Sequence, residues 1–176
     1  MQTILRRIVT GHTASGKSAI LIEDELQPDP GVHDRYLWKT DATPALNEGS
    51  ADAALAPLRL EPPVNGSVFR VVEFPPQRVM DGMDAKQKDA FFRELYKSMG
   101  GEHCRVDTER SPGMHKTSTV DYVIVLRGEI TLLLDEGEAT LESGDIVIQR
   151  GTNHDWVVRG DAPALLAVVM ISAAPV

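Results

Sequence analysis

The sequence predicts an all-β domain, an antiparallel sandwich or barrel with one accessory helix near 84–99. Three observations carry this prediction. From Val120 onward, short apolar runs alternate with turn signals at the spacing of roughly 8–12 residues that marks antiparallel double-sheet folds. Only one stretch, about Asp84–Met99, places apolar residues at the helical repeat. The chain has 176 residues, which fits one domain able to hold a core without disulfides.

Taken in order, Ile4–Thr10 and Lys17–Glu23 are apolar-rich runs. The segment Gly11-His12-Thr13-Ala14-Ser15-Gly16 between them has turn composition, so the pair reads as a hairpin. Residues 11–18 also match the phosphate-loop pattern G-x-x-x-x-G-K-[ST] letter for letter. That pattern holds phosphate only where a helix follows, because its N–H groups do the cradling. Here Ala19-Ile20-Leu21-Ile22 is short and rich in β-branched residues, and Glu23-Asp24-Glu25, Pro28 and Pro30 come next. A hairpin turn is expected, and no nucleotide.

From about Asp24 to Gly66 the pattern dissolves. Pro28, Pro30, Pro44, Pro57, Pro62 and Pro63 punctuate it, with Gly31, Gly49 and Gly66. A segment this long without regular structure is usually functional or disordered. Tyr36 and Trp38 favour packing, so it is expected to wrap the barrel, cover its mouth or reach across a dimer interface. Ser67–Phe74 returns to strand composition. In the helix, Phe92, Leu95, Tyr96 and Met99 fall on one face as core or dimer packing. Asp84 with Gln87 resembles a capping pair, and Gly100 supplies the stop. Strands are then expected over Val120–Leu126, Glu129–Asp135, Glu138–Leu141, Asp145–Gln149, Asp155–Arg159 and Ala164–Ser172, with Gly144 and Gly151 at turns that need positive φ.

Composition narrows the partners. A formal net charge of -8 repels phosphate backbones and anionic membranes, so neither nucleic acid nor a membrane is expected. The longest apolar run, Pro163 to Ile171, is far short of the ~20 residues a membrane helix needs, and Met1–Arg7 lacks the apolar stretch of a signal peptide. The single Cys104 cannot form an intrachain disulfide, which suits a reduced, cytoplasmic protein. His103 adjoins it, but neighbouring side chains on a strand point apart, so a catalytic thiol is not expected. His12, His33 and His103 read as structural groups.

The candidate site lies in the last third. His115, Thr117, Thr119 and Asp121 share one parity, so an extended chain shows all four on one face. His154 opens a later strand, with Trp156 and Val158 on its face. Two imidazoles and a carboxylate converging inside a small barrel could hold iron(II) or another divalent ion.

The segments Met114–Gly128 and Gly144-Asp-Ile-Val-Ile-Gln-Arg-Gly-Thr-Asn-His-Asp-Trp156 resemble the two motifs of the cupin superfamily, G-x5-H-x-H-x3,4-E-x6-G and G-x5-P-x-G-x2-H-x3-N. His115 matches the first histidine, Asp121 falls at the glutamate and Gly128 at the closing glycine. Gly144 and His154 match the second motif. Thr117 stands at the second metal histidine, Arg150 at the proline and Val158 at the asparagine, and the second motif is one residue short. The resemblance is to small single-domain bacterial cupins. It implies an RmlC-like jelly roll, a double-stranded β-helix spanning 1–176, with hairpin, loop and strand over 1–75, the helix over 84–99 and the core barrel over 113–172.

The resemblance further implies a small organic molecule in the barrel mouth, and a homodimer. Iron, manganese, nickel or zinc would sit on His115, Asp121 and His154, with Thr117, Thr119, Gln149 and Trp156 contacting substrate. Oxygenase, isomerase or decarboxylase chemistry is implied. Two alternatives stay open: a metal-free acid–base isomerase or epimerase using His115 with Asp121, and a non-catalytic binding protein.

Overall fold

The structure is a computed structural model that describes residues 5–26 and 33–175. Ile4, Pro28, Pro30 and Gly31, which figured in the hairpin and loop expectations, lie outside the described residues. The first two strands, β1 (Leu5–His12) and β2 (Ser18–Leu26), pair antiparallel as the expected hairpin. The residues that mimic a phosphate loop form its turn. Thr13 N–H donates to Lys17 O at 2.8 Å, Gly16 takes φ +77°, and a strand rather than a helix follows.

The proline-rich segment holds more regular structure than its composition predicts. Asp34–Thr40 forms β3, which carries Tyr36 and Trp38 and pairs with β4 (Ser67–Phe74). The prolines lie on either side of this strand, so none removes a ladder donor from it. Tyr36 is buried, and its hydroxyl accepts from Arg59 N–H at 2.9 Å, pinning the returning chain.

The helix α1 (Ala85–Ser98) ends where expected. Asp84 and Gln87 form a reciprocal capping box, and Gly100 takes φ +67° just past the end. Of the anticipated apolar stripe, Tyr96 is buried with Phe92 and Met99 against it, beside Leu60 and Cys104. Leu95 departs from that expectation. It is 40% exposed, beside the exposed Phe91, because the packed face is narrower than the stripe.

The remaining strands are β5 (Thr119–Arg127), β6 (Glu129–Leu134), β7 (Glu138–Glu142), β8 (Ile146–Arg150), β9 (His154–Val157) and β10 (Ala164–Ser172). They divide into a five-stranded sheet, β3-β4-β10-β5-β8, and a three-stranded sheet, β7-β6-β9. The chain therefore crosses between sheets after β5, β7, β8 and β9, the winding of a jelly roll. The first crossing is made at Gly128, where φ is +83° and a Cβ would stand 2.8 Å from Pro163 O, so only glycine fits without strain.

Between the sheets the interior changes character from one end to the other. One end is apolar: Val123, Val125, Ile130, Val158, Ala164 and Leu166 are buried together. Strand register sets the other end. One row across the large sheet runs Val68–Met170–Asp121–Gln149, and the next runs Tyr36–Arg70–Val168–Val123–Val147. The alternation that buries Val123 and Val125 therefore also buries Asp121 and Thr119.

Candidate active site

The polar end gathers side chains from four strands and the helix. Before β5 begins, His115 and His154 pair through their backbones, each N–H donating to the other's carbonyl at 2.9 Å. This bridge sets the two imidazole rings 4.3 Å apart, centroid to centroid. His154 Nδ1 lies 2.9 Å from Thr152 O, and His115 Nδ1 lies 3.1 Å from Gly113 O. A carbonyl only accepts, so each Nδ1 carries the hydrogen and each Nε2 is left with the lone pair. Burial holds both rings neutral. His154 is pushed down to about 4, and His115 is lowered well below the usual imidazole range by burial and by His154 beside it.

Tyr96 completes the setting of His115. Its hydroxyl donates to Gly113 O at 2.8 Å and stands 2.9 Å from His115 Nδ1. The expected partnership of His115 with Asp121 is therefore not what orients this ring: a carbonyl and a phenol do so, and its pKa moves down rather than up.

Asp121 is 4% exposed, and its Oδ1 has no hydrogen-bond partner. Desolvation pushes its carboxyl up to about 6, against the pull of a hydrogen bond from Thr119 and the charge of Arg70. Thr117 and Thr119 are buried beside it with their hydroxyls 2.7 Å apart. Gln149, opposite Asp121 in the sheet, donates its amide to Thr152 O at 3.0 Å, the carbonyl that His154 Nδ1 also meets. Trp156 meets His154 edge-on at 6.0 Å and Phe74 at 6.5 Å, so it joins the imidazoles to the apolar end.

For a divalent ion on His115, Asp121 and His154, the donor chemistry and the donor spacing point different ways. The two neutral imidazoles are of the right tautomer. The three donor atoms, however, do not all come within 4.8 Å of one another; among the described residues the one group that does so is Glu61, His103 and Cys104. Thr117 Oγ1, at the position where a second histidine would stand, is engaged with Thr119.

Two residues of this end escaped sequence reasoning. Arg70 is buried, with Asp34 Oδ2 and Leu60 O each at 2.9 Å and Met170 Sδ also in contact, and its Nε is unpartnered. Its signal was a lone charge at an inward position of Ser67–Phe74. The helical repeat gives Tyr96 a packing role alone, and its hydroxyl contacts add a second task.

The family model described as the cupin domain matches residues 102–171. The chain is 31% identical over 182 residues to phomopsin biosynthesis cluster protein C' of Diaporthe leptostromiformis, covering 97% of this chain and 79% of that protein. The chain belongs to the cupin family. This cupin is also 28% identical to the cupin-domain-containing oxidoreductase virC of Hypocrea virens, over 97% of this chain and 77% of that protein. Among solved structures it is similar to a cupin 2 conserved barrel domain protein from Salinispora arenicola, with 14% identity, a TM-score of 0.44, and 85% and 90% of the two chains covered.

Proposed function

We propose that this cupin is an enzyme that takes a small organic molecule into the polar end of its barrel and moves a proton on it with Asp121. One observation carries the reading: a carboxyl group buried between two sheets, with one oxygen unpartnered and its pKa raised to about 6. Such a group exchanges a proton near neutral pH, and the unpartnered oxygen is the atom at which it does so. Thr117, Thr119, Gln149 and Trp156 line the same end and would orient the ligand. His115 and His154, both neutral, would offer Nε2 as acceptors to ligand hydroxyls. Their raised neighbour and their own lowered pKa values separate acid from acceptor at one site. Removal of a proton next to a carbonyl, as in isomerisation of oxo- or hydroxy-acids, is the reaction this set serves.

A second reading is a divalent-ion-dependent oxidoreductase. The imidazole pair favours it, and several relatives carry that class in their names. Iron, manganese, nickel or zinc would sit on His115 and His154, with Asp121 drawn in as a third donor. A bound ion supplies Lewis-acid polarisation or an activated water.

One experiment separates the readings. A panel of oxo-, hydroxy- and aromatic acids is screened for thermal stabilisation, and the hits are incubated in deuterated water with a chelator. Deuterium entering the ligand in wild type, and not in Asp121→Asn, is the expected result. Exchange that stops in chelator and returns with iron(II) or manganese would transfer the proposal to the second reading.

We read residues 1–176 as one cupin domain that pairs with a second copy of itself. Tyr122 faces Ile148 and Ile124 faces Ile146 across β5 and β8, all on the outer side of the sheet, and all four are more than 40% exposed. Such a contiguous apolar face beside an edge strand favours a homodimer. Among the described residues no helix is long and apolar enough to cross a membrane. The net charge disfavours nucleic acid and anionic lipid, and the unpaired, buried Cys104 favours a reducing, cytoplasmic setting.

A further inference from the structure

Beyond the barrel interior, the chain leaving α1 makes a tight turn over Glu102–Cys104. Gly101 opens it against Leu60, so close that a Cβ would meet the leucine side chain at 2.4 Å. On this turn, unlike on a strand, neighbouring side chains converge. His103 Nε2 lies 3.5 Å from Cys104 Sγ. The segment holding Leu60 brings Glu61 Oε2 to 2.9 Å from the same nitrogen. The backbone holds the group from behind: Lys116 N–H donates to Cys104 O at 2.7 Å, and Ser118 N–H donates to Glu61 Oε1 at 2.8 Å.

A nucleophile relay would place the thiol on one imidazole nitrogen and the carboxylate on the other. Here both converge on Nε2, and burial with Glu61 alongside pushes the Cys104 thiol up to about 12, the reverse of activation. Sulfur, imidazole nitrogen and carboxylate oxygen meeting within 4.8 Å of one another are instead a cation donor set.

We propose that Glu61, His103 and Cys104 form a binding site for a thiophilic divalent cation, zinc above all, outside the barrel interior. Tetrahedral zinc with Zn–S of about 2.3 Å and Zn–N and Zn–O of about 2.0–2.1 Å has an S···N edge of about 3.6 Å and an N···O edge of about 3.3 Å. The 3.5 Å separation of Sγ and Nε2 already fits, and the 2.9 Å separation of Nε2 and Oε2 needs to open by a few tenths of an ångström. Thiolate selects zinc over magnesium or calcium. The His103 side chain is 68% exposed, which gives an ion access and leaves a fourth position for water. Binding displaces the thiol proton, so affinity rises with pH. An ion here ties the chain at 61 to the turn at 103–104.

The test uses the full, untagged chain, stripped with chelator and titrated with cobalt(II), then zinc. The site predicts uptake of one cobalt per chain with thiolate-to-cobalt charge-transfer absorption and the strong visible bands of tetrahedral cobalt, both displaced by zinc. Cys104→Ser removes the charge-transfer band. His103→Ala, at an exposed position that leaves packing intact, weakens zinc binding by roughly tenfold or more. His154→Ala leaves both signals unchanged, which separates this site from any ion in the barrel. No charge-transfer band in wild type, unaltered affinity in His103→Ala, or loss of the ion in His154→Ala would each overturn the proposal.

Discussion

At the scale of single residues, the polar end of the barrel gives up stability for a poised proton. A carboxyl whose pKa rises on folding binds its proton more tightly in the folded chain, so stability falls as pH climbs through the interval between the two values. For Asp121 that interval runs from 3.8 to about 6, and above it the buried carboxylate costs about 3 kcal/mol, two pKa units and a little more at about 1.4 kcal/mol each. Asp121→Asn removes that cost. The variant should unfold at higher urea than wild type at pH 8, by about 3 kcal/mol, and the gain should shrink to about 0.5 kcal/mol near pH 4. His154 runs in the opposite sense, since its lowered pKa costs stability as pH falls from 6.5 towards 4. Comparing the two proteins at each pH cancels it. The same substitution should abolish proton exchange on a bound ligand, so stability and activity move in opposite directions at one position.

At the scale of elements, much of this fold was legible. Ser67–Phe74 and Ala164–Ser172 are strands over the residues their composition indicates, and β5 to β9 fall within a residue or two of expectation. The reason is local: period-two apolar patterns are bounded by glycines that turns require. The capping box was legible too, because Asp84 and Gln87 act within one helical turn. Asp84→Ala should therefore cost about 1 kcal/mol in urea unfolding. It should also loosen Tyr96 against His115, read as a shift of the His115 imidazole signals. The parity of His115, Thr117, Thr119 and Asp121 puts all four on one face of an extended chain, and three of them, Thr117, Thr119 and Asp121, are buried. What the sequence hid depends on contacts distant along the chain. β3 lies in a proline-rich stretch and is recognised only by the partner strand it finds. The convergence of Glu61 on His103 and Cys104 needs a turn where a strand had been assumed, and the burial of Arg70 needs Asp34 and Leu60 to come to it.

At the scale of the whole molecule, the two faces of the large sheet are finished differently. Its inner face is closed against β6, β7 and β9. On its outer face Val71, Leu165 and Ala167 are covered by Leu5 and Leu37 on one side. On the other, Ile146 and Ile148 remain 66% and 54% exposed. A second copy covering this patch is expected to give a dimer in sedimentation velocity. Ile148→Glu should shift it to monomer, with the β-rich circular dichroism spectrum unchanged. A wild type that sediments as a monomer at high concentration would remove the dimer from the account.

The central claim is that Asp121 is a buried acid poised near neutral pH at the polar end of the barrel. It is tested most directly by carbon-13 NMR of aspartate-labelled protein, following the Asp121 carboxyl through a pH titration and assigning it by its loss in Asp121→Asn. The account predicts a midpoint of about 6, well above the ordinary 3.8. A midpoint at or below the ordinary value would mean that water or a fixed countercharge reaches the carboxylate, and would contradict the account.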